Sequence, residues 1–356
     1  MTEIIQPRLA VTIEGSSPSG PVGPTNFVPP IFVGPPVNWS ALPQGLNSGN
    51  VSADFIDVAS DGRNFVVVGL NGWCARSEDN GATWSALPQG LNSGLATASF
   101  QGIAATRDGV FIAVAQNGFA SRSLDGGETW TGLPQNLGVT PPVSFNRVAT
   151  DGQSNWVAVA NSAEVAYSTD NGATWNDGGE IGGLGSVVAY RGVIALGAGR
   201  FIVVTDNGGA GITTDSGATF GSFLVPQGLN SGSSTANFKD VAVIGDIIVV
   251  SGTGSRDAIS EDNGATWMAA PSFFNSGNPG PTASGGLVSD DESVFVSVQE
   301  SGWAAYSDDF GANWVPLPRG LNSGSTTANF NGLATNFSGV WVAVADSGFV
   351  SVGGVA

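Results

Sequence analysis

Ser77 to Trp84 reads SEDNGATW. The same octapeptide returns as Ser123 to Trp130 (SLDGGETW), Ser168 to Trp175 (STDNGATW), Thr213 to Phe220 (TTDSGATF), Ser260 to Trp267 (SEDNGATW) and Ser307 to Trp314 (SDDFGANW). The terminal aromatics lie 45 to 47 residues apart. A period of that length marks a chain built from repeated supersecondary units, whose core grows one unit at a time. Asp-Asn-Gly and Asp-Gly-Gly are hairpin turns, because Gly accepts positive φ and Asp satisfies turn N–H groups. Each octapeptide is therefore expected to join two antiparallel strands.

Around each turn a second pattern repeats. Residues 65–69 (FVVVG), 111–115 (FIAVA), 156–160 (WVAVA), 201–205 (FIVVT), 247–251 (IIVVS), 295–299 (FVSVQ) and 341–345 (WVAVA) are short and apolar on both faces. A strand flanked by two others, in a sheet packed on both sides, has this character. A shorter strand precedes each one, as at 55–60, 100–106, 145–150 and 330–335, and a third follows, as at 73–77. Each unit thus reads as strand a, strand b, strand c, octapeptide turn, strand d. There are seven b strands but six octapeptides, and the last unit stops after strand c. Its missing strand d is expected at the other end of the chain. Trp39 to Gly49 (WSALPQGLNSG) nearly duplicates Trp84 to Gly94, one period of 45 residues away. The expected fold is all-β: a seven-bladed β-propeller of four-stranded antiparallel blades over residues 36–356, with the N-terminal strand closing the last blade. Closure of this kind removes exposed sheet edges.

On these octapeptides the chain resembles the Asp-box (BNR) repeat family over about residues 37–353. The resemblance implies that Asp79, Asp125, Asp170, Asp215, Asp262 and Asp309 bond the backbone of their own hairpins. It also implies that the Gly takes positive φ and the aromatic packs between blades. Asp-x-Asn-Gly also resembles part of a calcium loop, but the later bidentate Glu is missing, so a structural turn is the preferred reading and no metal or cofactor is expected. The family includes sialidases, xyloglucan-degrading hydrolases, sortilin-type receptors and a photosystem II assembly factor. Sialidases need three arginines around the substrate carboxylate and a Tyr–Glu pair. No Arg-Ile-Pro signature precedes the first octapeptide here, and the nearest pairing, Tyr190-Arg191, sits in a strand-a position.

Composition narrows the function. The net charge is −18, with a single lysine, Lys239, and no histidine. Polyanions are repelled, so no nucleic acid is expected, and no apolar run approaches the roughly 20 residues that span a bilayer, so no membrane insertion is expected. The absence of histidine removes the commonest general base and metal ligand. The lone cysteine, Cys74, has no intrachain disulfide partner. The start Met-Thr-Glu-Ile-Ile-Gln-Pro-Arg lacks the features of a signal peptide. A non-enzyme is expected.

Within the near-identical repeats one column diverges. Four residues before each octapeptide stand Trp73, Phe119, Glu164, Gly209, Arg256 and Trp303, with Phe349 at the matching place in the seventh unit. The family geometry implies that b–c and d–a connections share one face and the central funnel. These side chains are the candidate binding residues for a sugar or a peptide; the alternative is that they cap the blade packing. Gly-Leu-Asn-Ser-Gly recurs at 45–49, 90–94, 228–232 and 320–324. It is read as a solvated turn carried along by duplication, with a hydrogen-bonding rim as the alternative.

Residues 1–35 match no repeat and are rich in Pro and Gly, so they are expected to form an extended arm. Residues 9–14 (LAVTIE) alternate like a strand that adds to a partner's sheet. The resulting functional expectation is a non-enzymatic structural or surface protein of a virion, a phage tail or capsid-associated propeller assembled in the host cytoplasm. The arm would dock on other virion proteins, and the disc would face a host-surface glycan or a partner. A glycan-processing hydrolase and a cellular assembly scaffold are the alternatives.

Overall fold

The computed structural model describes residues 38–140, 142–184, 188–224, 237–253, 257–270 and 284–354. The chain divides into two units, Met1–Phe32 and Val33–Ala356. The expected arm at 1–35 lies outside the described residues, as do Arg256 and the Gly-Leu-Asn-Ser-Gly copy at 228–232.

The second unit is a seven-bladed β-propeller of four-stranded antiparallel sheets. Blade 1 runs Phe55–Ser60, Phe65–Gly69, Cys74–Ser77 and Ser85–Ala86 as strands a to d. Blade 7 runs Phe330–Thr335, Trp341–Ala345 and Val350–Gly354, and its fourth strand is Asn38–Ala41. That strand pairs Asn38 with Gly354 and Ala41 with Ser351, antiparallel. Strand a of each blade packs on strand a of the next, and blade 7 returns to blade 1. The b strands expected from sequence are buried end to end, as at Phe65–Gly69, Phe111–Ala115 and Trp341–Ala345.

The core is distributed between blades. One cluster joins Phe65, Val67 and Trp84 of blade 1 to Val342, Val344 and Val350 of blade 7. Another joins Trp39, Trp341 and Ala343 of blade 7 to Val296, Val298 and Ala304 of blade 6. Trp39, 5% exposed, therefore fills between blades the place that Trp84 fills in the next gap. Burial of such a ring is worth about 1.5–3 kcal/mol in transfer terms alone.

The octapeptide explains how each unit keeps its register. Asp79 accepts at Oδ1 from Ser77 Oγ (2.9 Å) and Thr83 N (2.8 Å), and at Oδ2 from Thr83 Oγ1 (2.6 Å). Ser77 Oγ accepts from Gly81 N at 2.8 Å, and the Trp84 indole donates to Gly81 O at 3.0 Å. Asp125, Asp170, Asp215, Asp262 and Asp309 repeat the carboxylate bonds. Gly81 has φ +82°, and a Cβ there would stand 3.2 Å from Val342 of the preceding blade. The glycine thus serves both the turn and the close approach of blades. Trp84, Trp130, Trp267 and Trp314 are buried, whereas Trp175 and Phe220 are half-buried.

The three described Gly-Leu-Asn-Ser-Gly loops, at 45–49, 90–94 and 320–324, are not the solvated turns expected. Leu46, Leu91 and Leu321 are fully buried, and Ser48, Ser93 and Ser323 nearly so. Asn47 donates to Trp84 O (3.1 Å), Asn92 to Trp130 O (3.0 Å) and Asn322 to Trp39 O (2.9 Å). Each of these three loops buries its leucine and uses its asparagine amide to latch the outer strand of a blade. Burial of a polar group is tolerated because that bond is made.

Candidate functional site: the central channel and its mouth

Strand a is the innermost strand, and residues from all seven a strands line a central channel. Every a strand carries a register irregularity at its second residue, for example between Phe55 and Asp57, Phe145 and Arg147, and Phe238 and Asp240. Such bulges re-aim side chains. They bring Ile56, Gln101, Asn146, Arg191, Lys239 and Asn331, together with Gly285 and Arg147, around a polar cup of about 210 Å³ at the d–a face. Below it lies a compartment of about 250 Å³ walled by Val58, Ile103, Val148, Val193, Val241 and Leu287.

Arg147 of blade 3 lines both, and Asp57 of blade 1 and Asp240 of blade 5 line the lower compartment. Asp57 accepts from its own blade at Val58 N (2.9 Å) and from blade 2 at Ile103 N (3.0 Å). Asp240 does the same with Val241 N (2.9 Å) and Leu287 N of blade 6 (2.9 Å). Arg147 donates through Nη1 to the carbonyls of Gln101 and Asn146. Burial pushes the Asp57 carboxyl up to about 6, against the pull of Arg147 and the two N–H donors. Burial raises Asp240 as well, with the same opposition from Arg147. At the hairpin end, the Arg107 guanidinium of blade 2 lies 4.0 Å from the Phe337 ring centroid of blade 7. It also pairs with Asp291 of blade 6 at 3.0 Å. Those blades are not neighbours of blade 2, so Arg107 bridges the channel's end.

The six octapeptide carboxylates shift the other way. Asp262 is held below its ordinary 3.8 by bonds from Thr266 and Ser260. In Asp79 the hydrogen bonds outweigh a desolvation effect of opposite sign. A depressed pKa contributes stability that is present above the unfolded value and lost as pH falls through the folded one. The raised Asp57 works in reverse: the folded state holds its proton more tightly, so stability grows as pH falls from about 6 toward 3.8. Melting temperature is therefore expected to peak between these values and to drop below 3.8. Asp57→Asn should reduce the limb near pH 6, leaving the share that the raised Asp240 contributes, and keep the acid limb in place. A curve flat in both regions would contradict both assignments.

The binding column expected from sequence lies elsewhere. Trp73, Phe119, Trp303 and Phe349 are half-buried at the entries to strand c, and Glu164 and Gly209 begin theirs. None of them is among the residues lining the cup or the compartment below. The ring of Trp73 lies 3.2 Å from where a Cβ on Gly49 would stand, and Phe119 and Phe349 lie 3.8 Å from the same position on Gly94 and Gly324. Trp303 carries the Arg319 guanidinium 4.6 Å from its ring centroid. Burial raises Glu164, helped by Asp177 and Glu180. Of the pairing at 190–191, the Tyr190 hydroxyl accepts from Ile181 N (2.8 Å), and Arg191 pairs with Asp206 (3.2 Å). Among the described residues no group of three or more Asp, Glu, Cys or His side chains is placed to hold a metal ion.

No protein-family model matches the sequence, and no curated protein does. Solved structures do match. The chain is similar to YCF48 bound to a D1 peptide, at 16% identity over 90% of this chain and 97% of that one, with a TM-score of 0.67. It is similar to YCF48 from Cyanidioschyzon merolae, at 15% over 89% and 98%, with a TM-score of 0.63. It is also similar to the GH74 xyloglucanase from Xanthomonas campestris, at 14% over 88% of this chain, with a TM-score of 0.63. This chain spans about half of that enzyme, 53%. At such identities the likeness establishes the seven-bladed propeller fold, which hosts both a peptide-binding protein and a glycoside hydrolase.

Proposed function

We propose that this chain is a non-enzymatic binding propeller that takes a protein partner on its d–a face. One observation carries the reading. Among the described residues, Asp57 and Asp240 are the carboxylates lining the lower compartment, and every one of their oxygens accepts a backbone N–H. Each therefore struts one blade to the next. A glycosidase needs one carboxyl to deliver a proton and a second to attack or to activate water; here both oxygens of each carboxylate are already engaged in bracing the backbone of two blades. A propeller that binds a peptide also occurs among the similar structures. The hydrolase reading keeps one observation in its favour, the raised pKa of both carboxyls in one channel.

The finer reading is a virion surface protein whose residues 1–35 dock on other particle proteins. It rests on the Pro- and Gly-rich sequence of that segment and on the alternating stretch at 9–14. An extended chain of that length reaches on the order of 100 Å, and an added strand binds chiefly through main-chain bonds. Expressed residues 36–356 should fold yet fail to co-sediment with assembled particles, while the full chain incorporates. Equal incorporation of both would rule out docking through the segment.

A further inference from the structure

We propose that the polar cup is a binding site for a peptide carboxylate, gripped by Lys239 and Arg191, with neighbouring amide oxygens receiving the peptide's N–H groups. The proposal deepens the partner-binding reading above and rests on it.

The cup concentrates positive charge in an acidic chain. The protein has 11 basic residues against 29 acidic ones. Arg147, Arg191 and its single lysine, Lys239, line this one cup, and no carboxylate is among its described lining residues. The nearest acids leave the charge incompletely matched. Asp206 engages Arg191 through Nη2 at 3.2 Å, and Asn161 accepts from Nη1 at 3.4 Å. The Nε of Arg191 is buried without a partner. The Lys239 ammonium is half-buried and has no hydrogen-bond or ion-pair partner among the described residues. Burial lowers its pKa, and Arg191 lowers it further, against a weaker pull from Asp206 and Glu300. A half-desolvated ammonium beside a guanidinium is a costly arrangement that an incoming anion relieves.

The other lining groups select the kind of anion. Gln101 donates its amide to Phe100 O (3.2 Å), Asn146 to Tyr190 O (2.7 Å) and Asn331 to Phe55 O (2.9 Å). Two of these bonds tie neighbouring blades, so the amides are fixed in orientation. Their carbonyl oxygens have no protein partner among the described residues. Inorganic phosphate, which is mostly acceptor, has little use for such oxygens; a peptide, with an N–H beside its carboxylate, has. At about 210 Å³ the cup is smaller than a typical drug-sized pocket of ~300–1,000 Å³ and fits one side chain or chain end. The bulge in each a strand is what turns these second residues toward the mouth.

Because the chain has one lysine, ¹³Cε-lysine labelling gives one resonance, and it reports on the cup directly. The full-length protein would be titrated at constant ionic strength with five probes. These are acetyl-Ala-Glu-Ala amide, acetyl-Ala-Ala-Ala with a free carboxyl end, acetyl-Ala-Gln-Ala amide, sodium phosphate, and the methyl glycoside of sialic acid. A saturable shift is expected with an acidic peptide; which of the two binds tells a side-chain carboxylate from a chain end. The neutral peptide should bind about tenfold more weakly or worse, the loss expected for a charge-assisted bond. Arg191→Gln should weaken binding by a similar factor while the circular dichroism spectrum is unchanged, and Lys239→Gln should abolish peptide heat in calorimetry at an unchanged melting temperature. The proposal is overturned if neither acidic peptide gives saturation, if phosphate matches them, or if the sialoside alone binds. None of these outcomes bears on whether the chain docks a partner elsewhere, which particle co-sedimentation reads separately.

Discussion

Removal of residues 1–41 is expected to open the ring. The lost strand, Asn38–Ala41, holds four residues in register with Val350–Gly354 and places Trp39 between blades 6 and 7. Trp39→Ala alone should cost about 3–5 kcal/mol, the range for truncating a buried large aromatic. That is a large share of the ~5–15 kcal/mol that holds a typical domain folded. Deleting the strand adds the loss of its ladder and of the Asn322 bond to Trp39 O. It also exposes Val350–Gly354 as an open edge, an invitation to pair with another molecule. The truncated protein should aggregate or dimerise in analytical ultracentrifugation, and a synthetic peptide of residues 38–49 should restore its melting temperature. A truncated chain that stays monomeric with unaltered melting would refute closure by this strand.

Replacing Arg147 by Met is the second large effect. Arg147 stands with the buried carboxyls Asp57 and Asp240 and lowers the pKa of both. Removing it strips the two acids of their opposing charge and leaves the Gln101 carbonyl without its donor, a loss on the order of 1–3 kcal/mol. Here the loss should depend on pH in a defined direction. Without the guanidinium, Asp57 rises beyond about 6, so more of the penalty is escaped by protonation. Arg147→Met should be most destabilised at neutral pH and recover part of the difference near pH 5, as read by urea denaturation. A difference independent of pH would mean that Arg147 acts through packing alone.

The fold was legible because each blade advertises itself twice. Short buried b strands such as Phe111–Ala115 read as apolar on both faces, and the octapeptide marks the hairpin that follows. The strand count then required Trp39 to belong to blade 7, and the register of Asn38 with Gly354 bears this out. The channel was not legible in the same way. Divergence within a near-identical repeat drew attention to the column of Trp73 and Trp303, but that column enters strand c, outside strands a and b. The channel is lined by strand a, whose third residues read Asp57, Gly102, Arg147, Gly192, Asp240, Gly286 and Gly332. Aligning those seven residues would have exposed an ion layer, since charge alternating with glycine has no place in an ordinary inner strand. The bulge that re-aims Arg191 and Lys239 leaves no trace in hydrophobic periodicity. The role of Leu46 and Asn47 was missed for a related reason: Gly-Leu-Asn-Ser-Gly is polar by composition, and only the three-dimensional loop shows the leucine buried and the amide bonded across to Trp84 O.

Catalysis is where the account is most exposed. Purified full-length protein should be incubated with xyloglucan, other common polysaccharides and sialosides across pH 4 to 8, beside Asp57→Asn and Asp240→Asn. The account predicts no release of sugar by any of the three proteins and a melting temperature altered in both variants, because these carboxylates strut the blades. Turnover by the unaltered protein that disappears in either variant, at unchanged melting temperature, would contradict it and make the channel an active site.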